Sequence, residues 1–133
     1  MNLLLDTHVW IWSQESPDEM GLAARSMISD HANRLFVATV SSLEIARMAQ
    51  AGILDPKGNL RDWIRRSLDA LRGETVELSH EIALGAYSLP GEFHRDPADR
   101  ILVATARALK LTILSADARI LGYPHVASRN ARA

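Results

Sequence analysis

The chain has 133 residues, 47% of them apolar, and a formal net charge of −1. That length suits one domain, residues 1–133, with a real core of its own, and the near-neutral balance supplies no basic field to hold nucleic acid non-specifically. The absence of cysteine excludes disulfide frameworks, thiolate zinc sites and cysteine nucleophiles.

Asn2-Leu3-Leu4-Leu5 is a short apolar run suited to a strand buried on both faces. Asp6-Thr7-His8 stops it at once, which is not the pattern of a signal peptide or a membrane span, so the expectation is a soluble cytoplasmic protein. Val9–Trp12 reads as the first helical turns. Ser16-Pro17-Asp18-Glu19 starts a further helix that runs from Met20 to His31. Leu35–Ala38 is a second buried strand. Ser41 or Ser42 caps a helix carrying Leu43, Glu44, Ile45 and Met48, ended by Gly52. Asn59 opens a helix with Leu60, Trp63, Ile64, Leu68 and Leu71 on one stripe and four arginines off it, stopped by Gly73. Thr75–Leu78 is a strand, and Ser79 caps a helix from Glu81 to Leu89. Asp96-Pro97 opens a strongly apolar helix to Ala108, with Asp96 as N-cap, Pro97 at the first position and Asp99 in the first turn. Leu111–Leu114 is a strand, Asp117 begins a helical turn to Leu121, and His125–Ala127 is a last short strand.

Strands alternating with helices predict an α/β fold around a mostly parallel sheet. In such sheets the strand C-termini share one edge, and ligands bind outside it. Asp6 and Asp117 follow strands, while Glu44 and Asp99 lie in the first turns of helices leaving that edge. The four acids are therefore expected to converge. Crowded carboxylates stay ionised only around a cation. Oxygen donors without sulfur favour Mg²⁺ or Mn²⁺, whose natural chemistry on this scaffold is phosphodiester hydrolysis.

Four stretches in order resemble the motifs of PIN-domain ribonucleases: Leu4–Trp10, Ser41–Ile45, Asp96–Ala106 and Leu114–Ile120. Among these the chain is most similar to the VapC-type toxins of bacterial toxin–antitoxin pairs, over Asn2 to about Ala127. The resemblance implies a three-layer α/β/α sandwich and a Mg²⁺- or Mn²⁺-dependent endoribonuclease acting on RNA. It further implies dimerisation and inhibition by a cognate antitoxin. It places Asp6, Glu44, Asp99 and Asp117 as the catalytic, metal-binding acids, with Thr7 and Ser115 as supporting hydroxyls.

His94 and Arg95, beside the third motif, are candidates for contact with RNA. His8 reads as a helix-start side chain, and Trp10, Trp12 and Trp63 as core or dimer contacts. Two other functions compete with this one. A phosphatase of the haloacid dehalogenase kind needs a second Asp two residues after the first, where this chain has His8. A catalytically silent PIN-like module that only binds RNA or protein would have no use for all four acids.

Overall fold

The computed structural model describes residues Met1–Ala133. Five strands, β1 (Asn2–Leu5), β2 (Arg34–Ala38), β3 (Glu74–Val76), β4 (Thr112–Ser115) and β5 (Ser128–Asn130), form one sheet in the order β3-β2-β1-β4-β5. All four pairings are parallel, with Leu4 opposite Phe36 on one side and Ile113 on the other. The helices are α1 (Thr7–Glu15), α2 (Leu22–Ser29), α3 (Thr39–Gln50), α4 (Leu60–Leu71), α5 (His80–Gly85), α6 (Pro97–Leu109) and α7 (Ala118–Leu121).

Successive residues of a strand face opposite ways, and β1 uses this to join two cores. Leu3 and Leu5 pack with Trp10, Ala24, Ile45 and Trp63 from α1 to α4. Leu4 packs with Leu102, Val103 and Ala106 of α6 and Ile120 of α7. Leu3, Leu4 and Leu5 are all fully buried, as a central parallel strand requires. The result is the expected three-layer sandwich. No helix is long and apolar enough to cross a membrane.

Capping residues set several boundaries. Asn59 accepts from the N–H groups of Arg61 and Asp62, Ser79 from Ile82, and Asp96 from Asp99. Elsewhere the structure departs from the sequence reading. The helix expected from Met20 is interrupted: a 3-10 turn covers Pro17–Glu19, and α2 starts only at Leu22. The cause is Gly21, whose N–H donates to the Ala131 carbonyl and where an added Cβ would lie 1.9 Å from the Ala133 oxygen. Neither Ser41 nor Ser42 caps α3. The helix leaves β2 directly, with Ala38 at the cap position and Ser41 buried inside. Arg72 (φ 52°), rather than Gly73, adopts the left-handed conformation that ends α4, and the Gly73 N–H closes on Leu68. The last strand is Ser128–Asn130, not His125–Ala127. This edge strand is held by backbone pairing to β4, whereas the apolar Val126 packs on the α6 core instead.

The buried Trp10 indole N–H donates to Ser67 Oγ at 2.9 Å, the link that fixes α4 against α1. Ser67→Ala leaves that donor unpaired in a dry core, so urea denaturation should report a loss of about 1–3 kcal/mol. An unchanged midpoint would mean the indole finds another acceptor.

Candidate active site

The site is built at the carboxyl edge of β1. The Asp6 N–H donates to the Leu114 carbonyl at 3.1 Å, extending the pairing with β4 by one residue. Its side chain then turns into the N-terminus of α1, where Oδ1 accepts from the Val9 N–H at 3.0 Å. Oδ2 accepts from the Ser115 hydroxyl, and Ser115 Oγ accepts in turn from the Asp117 N–H at 3.0 Å. Burial pushes the Asp6 carboxyl above the usual range, and the Ser115 and Val9 hydrogen bonds oppose that shift.

Glu44 arrives from α3. Thr7 Oγ1 lies 2.6 Å from Glu44 Oε1 and 2.9 Å from Ser41 Oγ. A threonine hydroxyl has one proton, and the shorter contact to a carboxylate claims it, so Ser41 donates to Thr7. Asp117 arrives from β4 and is held by Arg119. The Arg119 N–H and Nε donate to Oδ1 at 2.8 and 3.2 Å, and Nη2 donates to Oδ2 at 3.0 Å. That pairing holds Asp117 below the ordinary carboxylate range.

Asp99 is the acid left with the poorest partner. His94 Nε2 lies 2.9 Å from its Oδ2, but off the line a hydrogen bond needs, and Nε2 has no hydrogen-bond partner. Burial first, then the charges of Asp96, Asp117 and Glu44, push Asp99 up to about 7. Burial and the Arg119 charge press His94 the other way, toward the neutral ring. Its Nδ1 accepts from the Asp96 N–H at 3.4 Å, as a neutral ring can.

Asp6, Glu44, Asp96, Asp99 and Asp117 all line one cavity of about 430 Å³, together with Thr7. The expected convergence of the four acids is therefore present, with Asp96 added at the wall as well as serving as cap. No three Asp, Glu or His side chains are grouped closely enough to hold an ion without side-chain movement. Like charges at rest behave this way: Glu44 turns to Thr7, Asp117 to Arg119 and Asp99 toward His94. The all-oxygen donor set and the crowding on Asp99 fit a hard divalent cation.

His94 and Arg95 are not part of this wall. His94 flanks it through Asp99 and lines an adjoining pocket of about 460 Å³ with Phe93 and Tyr123, and Arg95 is exposed outside both. Arg47, Arg119 and Arg132, to which the sequence alone gives no role, and Trp12, whose spacing reads as a core or dimer contact, all line the acid cavity. Arg47 was findable, one helical turn after Glu44 on the same face. Arg132 comes from the C-terminal tail, and only the tertiary fold brings it there.

A parallel three-layer sandwich with acids gathered at the carboxyl edge of its sheet defines a class of α/β proteins whose ligand site lies outside the strand ends. Within that class the chain belongs to the PIN domain family, whose profile matches residues 3–126. Ribonuclease VapC22 of Mycobacterium tuberculosis (strain ATCC 25618 / H37Rv) is 32% identical over 123 residues, 92% of each chain. Among solved structures, a chain of VapBC2 from Rickettsia felis, crystallised with a DNA fragment from their promoter, superposes with a TM-score of 0.68 at 17% identity, covering 98% of each chain. A toxin–antitoxin complex from Klebsiella pneumoniae gives 0.64 at 20% identity, covering 94% of this chain and 95% of that one. FitAcB from Neisseria gonorrhoeae gives 0.65 at 18% identity over 97% of both chains. At these identities the structural matches establish the fold.

Two acids three residues apart, Asp96 and Asp99, should separate in stability measurements. Asp99 is pushed up to about 7 in the folded protein, above the ordinary carboxyl value of 3.8, so between those values the folded protein holds a proton that the unfolded chain has released. Stability therefore falls as pH rises from about 4 to about 7. Asp99→Asn removes this penalty and should stabilise the protein at pH 8 by about 1–2 kcal/mol after discounting for partial exposure, with little gain at pH 4. Asp96→Ala removes an N-cap and should cost about 0.5–2 kcal/mol. Thermal melts across pH decide both, and a pH-independent effect of Asp99→Asn would contradict the crowding.

Proposed function

We propose that the chain is the toxin of a toxin–antitoxin pair, a Mg²⁺- or Mn²⁺-dependent endoribonuclease that hydrolyses RNA phosphodiester bonds. The observation that carries this reading is the meeting of Asp6, Glu44, Asp99 and Asp117 at one cavity, with Asp99 pushed up to about 7 by burial and then by its acidic neighbours. The 32% identical relative, named a ribonuclease, supports RNA as the substrate. The fold's occurrence in toxin–antitoxin complexes supports a cognate antitoxin as partner. We place the activity in a single domain, residues 1–133, acting in the cytoplasm as a homodimer.

A bound divalent cation would supply Lewis-acid polarisation of the phosphoryl group and a lowered pKa for the attacking water. Asp6, Glu44, Asp99 and Asp117 are the groups to hold it. Ser115 fixes one Asp6 oxygen and Thr7 one Glu44 oxygen, so each carboxylate keeps a defined orientation when a cation draws it inward. The second Glu44 oxygen is then available to accept a proton from water. Asp117 must share its oxygens between Arg119 and a cation, which makes it the weakest of the four ligands.

The test is cleavage of a structured RNA in Mg²⁺ or Mn²⁺, with and without EDTA. Asp6→Asn, Glu44→Gln and Asp99→Asn should each lower the rate about 100-fold or more, since lost ligands cost at least what lost second partners do. Calorimetry should find Mn²⁺ binding to the parent and much weaker binding to Asp99→Asn. Cleavage undiminished by EDTA would overturn the metal mechanism, and Mn²⁺ binding without cleavage of any RNA would favour the silent binding module.

A further inference from the structure

The three tryptophans have different surroundings. Trp10 and Trp63 are buried and pack on each other with ring centroids 5.7 Å apart. Trp12 is half-buried and forms part of the wall of the acid cavity. Over its ring lies the guanidinium of Arg132, 4.8 Å from the ring centroid. Arg132 is also tied to Glu19, with Nη1 3.2 Å from Oε2. A long, entropically free side chain on a terminal segment is thus fixed by a cation–π contact and an ion pair while it lines the cavity.

Arg47 stands on the same wall, exposed, and enters none of the chain's ion pairs. Five carboxylates line this cavity, yet of its three arginines only Arg119 pairs with one of them. Arg132 and Arg47 instead form a cationic rim beside an acidic floor. Neutralising the floor would need them turned inward. Meeting a polyanion that crosses the floor needs Arg132 held as it is and Arg47 free of any carboxylate partner.

We propose that Arg132 and Arg47 form a phosphate subsite for the single-stranded RNA segment flanking the cleaved bond, with Trp12 as the positioning residue that presets Arg132. This rests on the ribonuclease reading above and adds the route by which the strand lies across the site. The ligand is the phosphodiester backbone, so the subsite contributes affinity and register without reading sequence.

The experiment uses a fluorescein-labelled, mixed-sequence RNA dodecamer with Mg²⁺, titrated by anisotropy between 50 and 200 mM salt. The Asp99→Asn protein serves as parent so that the RNA stays intact. Adding Arg132→Gln or Arg47→Gln should weaken binding about three- to tenfold at low salt. Each should also flatten the slope of log affinity against log salt by about 0.7, the value for one lost contact to a single strand. Trp12→Leu should act like Arg132→Gln and add nothing to it in the double variant, while Trp12→Phe, which keeps an aromatic face, should restore most of the affinity. Arg129→Gln, an exposed arginine on β5 outside the cavity wall, controls for loss of charge alone and should change neither quantity. Parental affinity and slope in the Arg132 and Arg47 variants, with RNA still cleaved by the wild-type chain, would overturn the subsite and leave the ribonuclease reading standing. Failure of the wild-type chain to cleave any RNA, with no binding by the parent, would overturn both.

Discussion

The rest of the structure depends on where β1 sits, between β2 and β4 with both pairings parallel. Parallel strands end on one edge, so every connection must return from that edge through a helix. Asp6 follows β1 there, Ser115 ends β4, and α3 starts back from β2 carrying Glu44. Residues 109 positions apart, Asp6 and Ser115, come within hydrogen-bonding reach as a consequence of strand pairing alone. Asp6 then links three things at once: the β1–β4 ladder through its N–H, the start of α1 through one carboxylate oxygen, and Ser115 through the other. The Ser115 and Val9 bonds are what make a buried carboxylate tolerable, because each favours the ionised form that burial disfavours.

Electrostatic conflict in the site is localised rather than shared. Glu44 has Thr7, Asp117 has Arg119, and Asp6 has Ser115 with the Val9 N–H. Asp99 has only a poorly aligned imidazole that is itself pressed toward neutrality. Burial first and then this crowding raise the pKa of Asp99, and Asp96 is the largest charged contributor. The cap of α6 thus serves two ends. It satisfies a backbone donor, and it places a negative charge one turn from the acid that the site keeps poised.

Local chemistry made much of this legible in the sequence. An acid closing a wholly apolar strand, the Asp-Pro helix start, and caps such as Asn59 and Ser79 each rest on neighbours within four residues, and each is found where expected. What could not be read depends on distant groups. Ser41 and Ser42 look like caps, but β2 feeds α3 without a turn, and the Ser41 hydroxyl is used by Thr7. Gly21 breaks a helix because the tail packs against it, and β5 is polar because its edge pairing needs no side chains. The cationic rim was invisible for the same reason, since Arg132 and Trp12 are 120 residues apart in the chain.

Three of the cavity's acids are also helix N-caps: Asp6 for α1, Asp96 for α6 and Asp117 for α7. The starts of these helices consequently face the cavity, and for α1 and α6 a full helix dipole presents its positive end to the carboxylates. That field lowers the cost of gathering negative charge before any cation arrives, and it ties folding to chemistry at the same atoms. Asn caps a helix about as well as Asp but carries no charge, whereas Ala does neither. At Asp6, Asp96 and Asp117 the two substitutions therefore report different quantities, charge alone with Asn and charge plus cap with Ala. At Glu44 and Asp99, which cap nothing, no such division exists. The two acids with no capping role are the two whose presence folding does not explain.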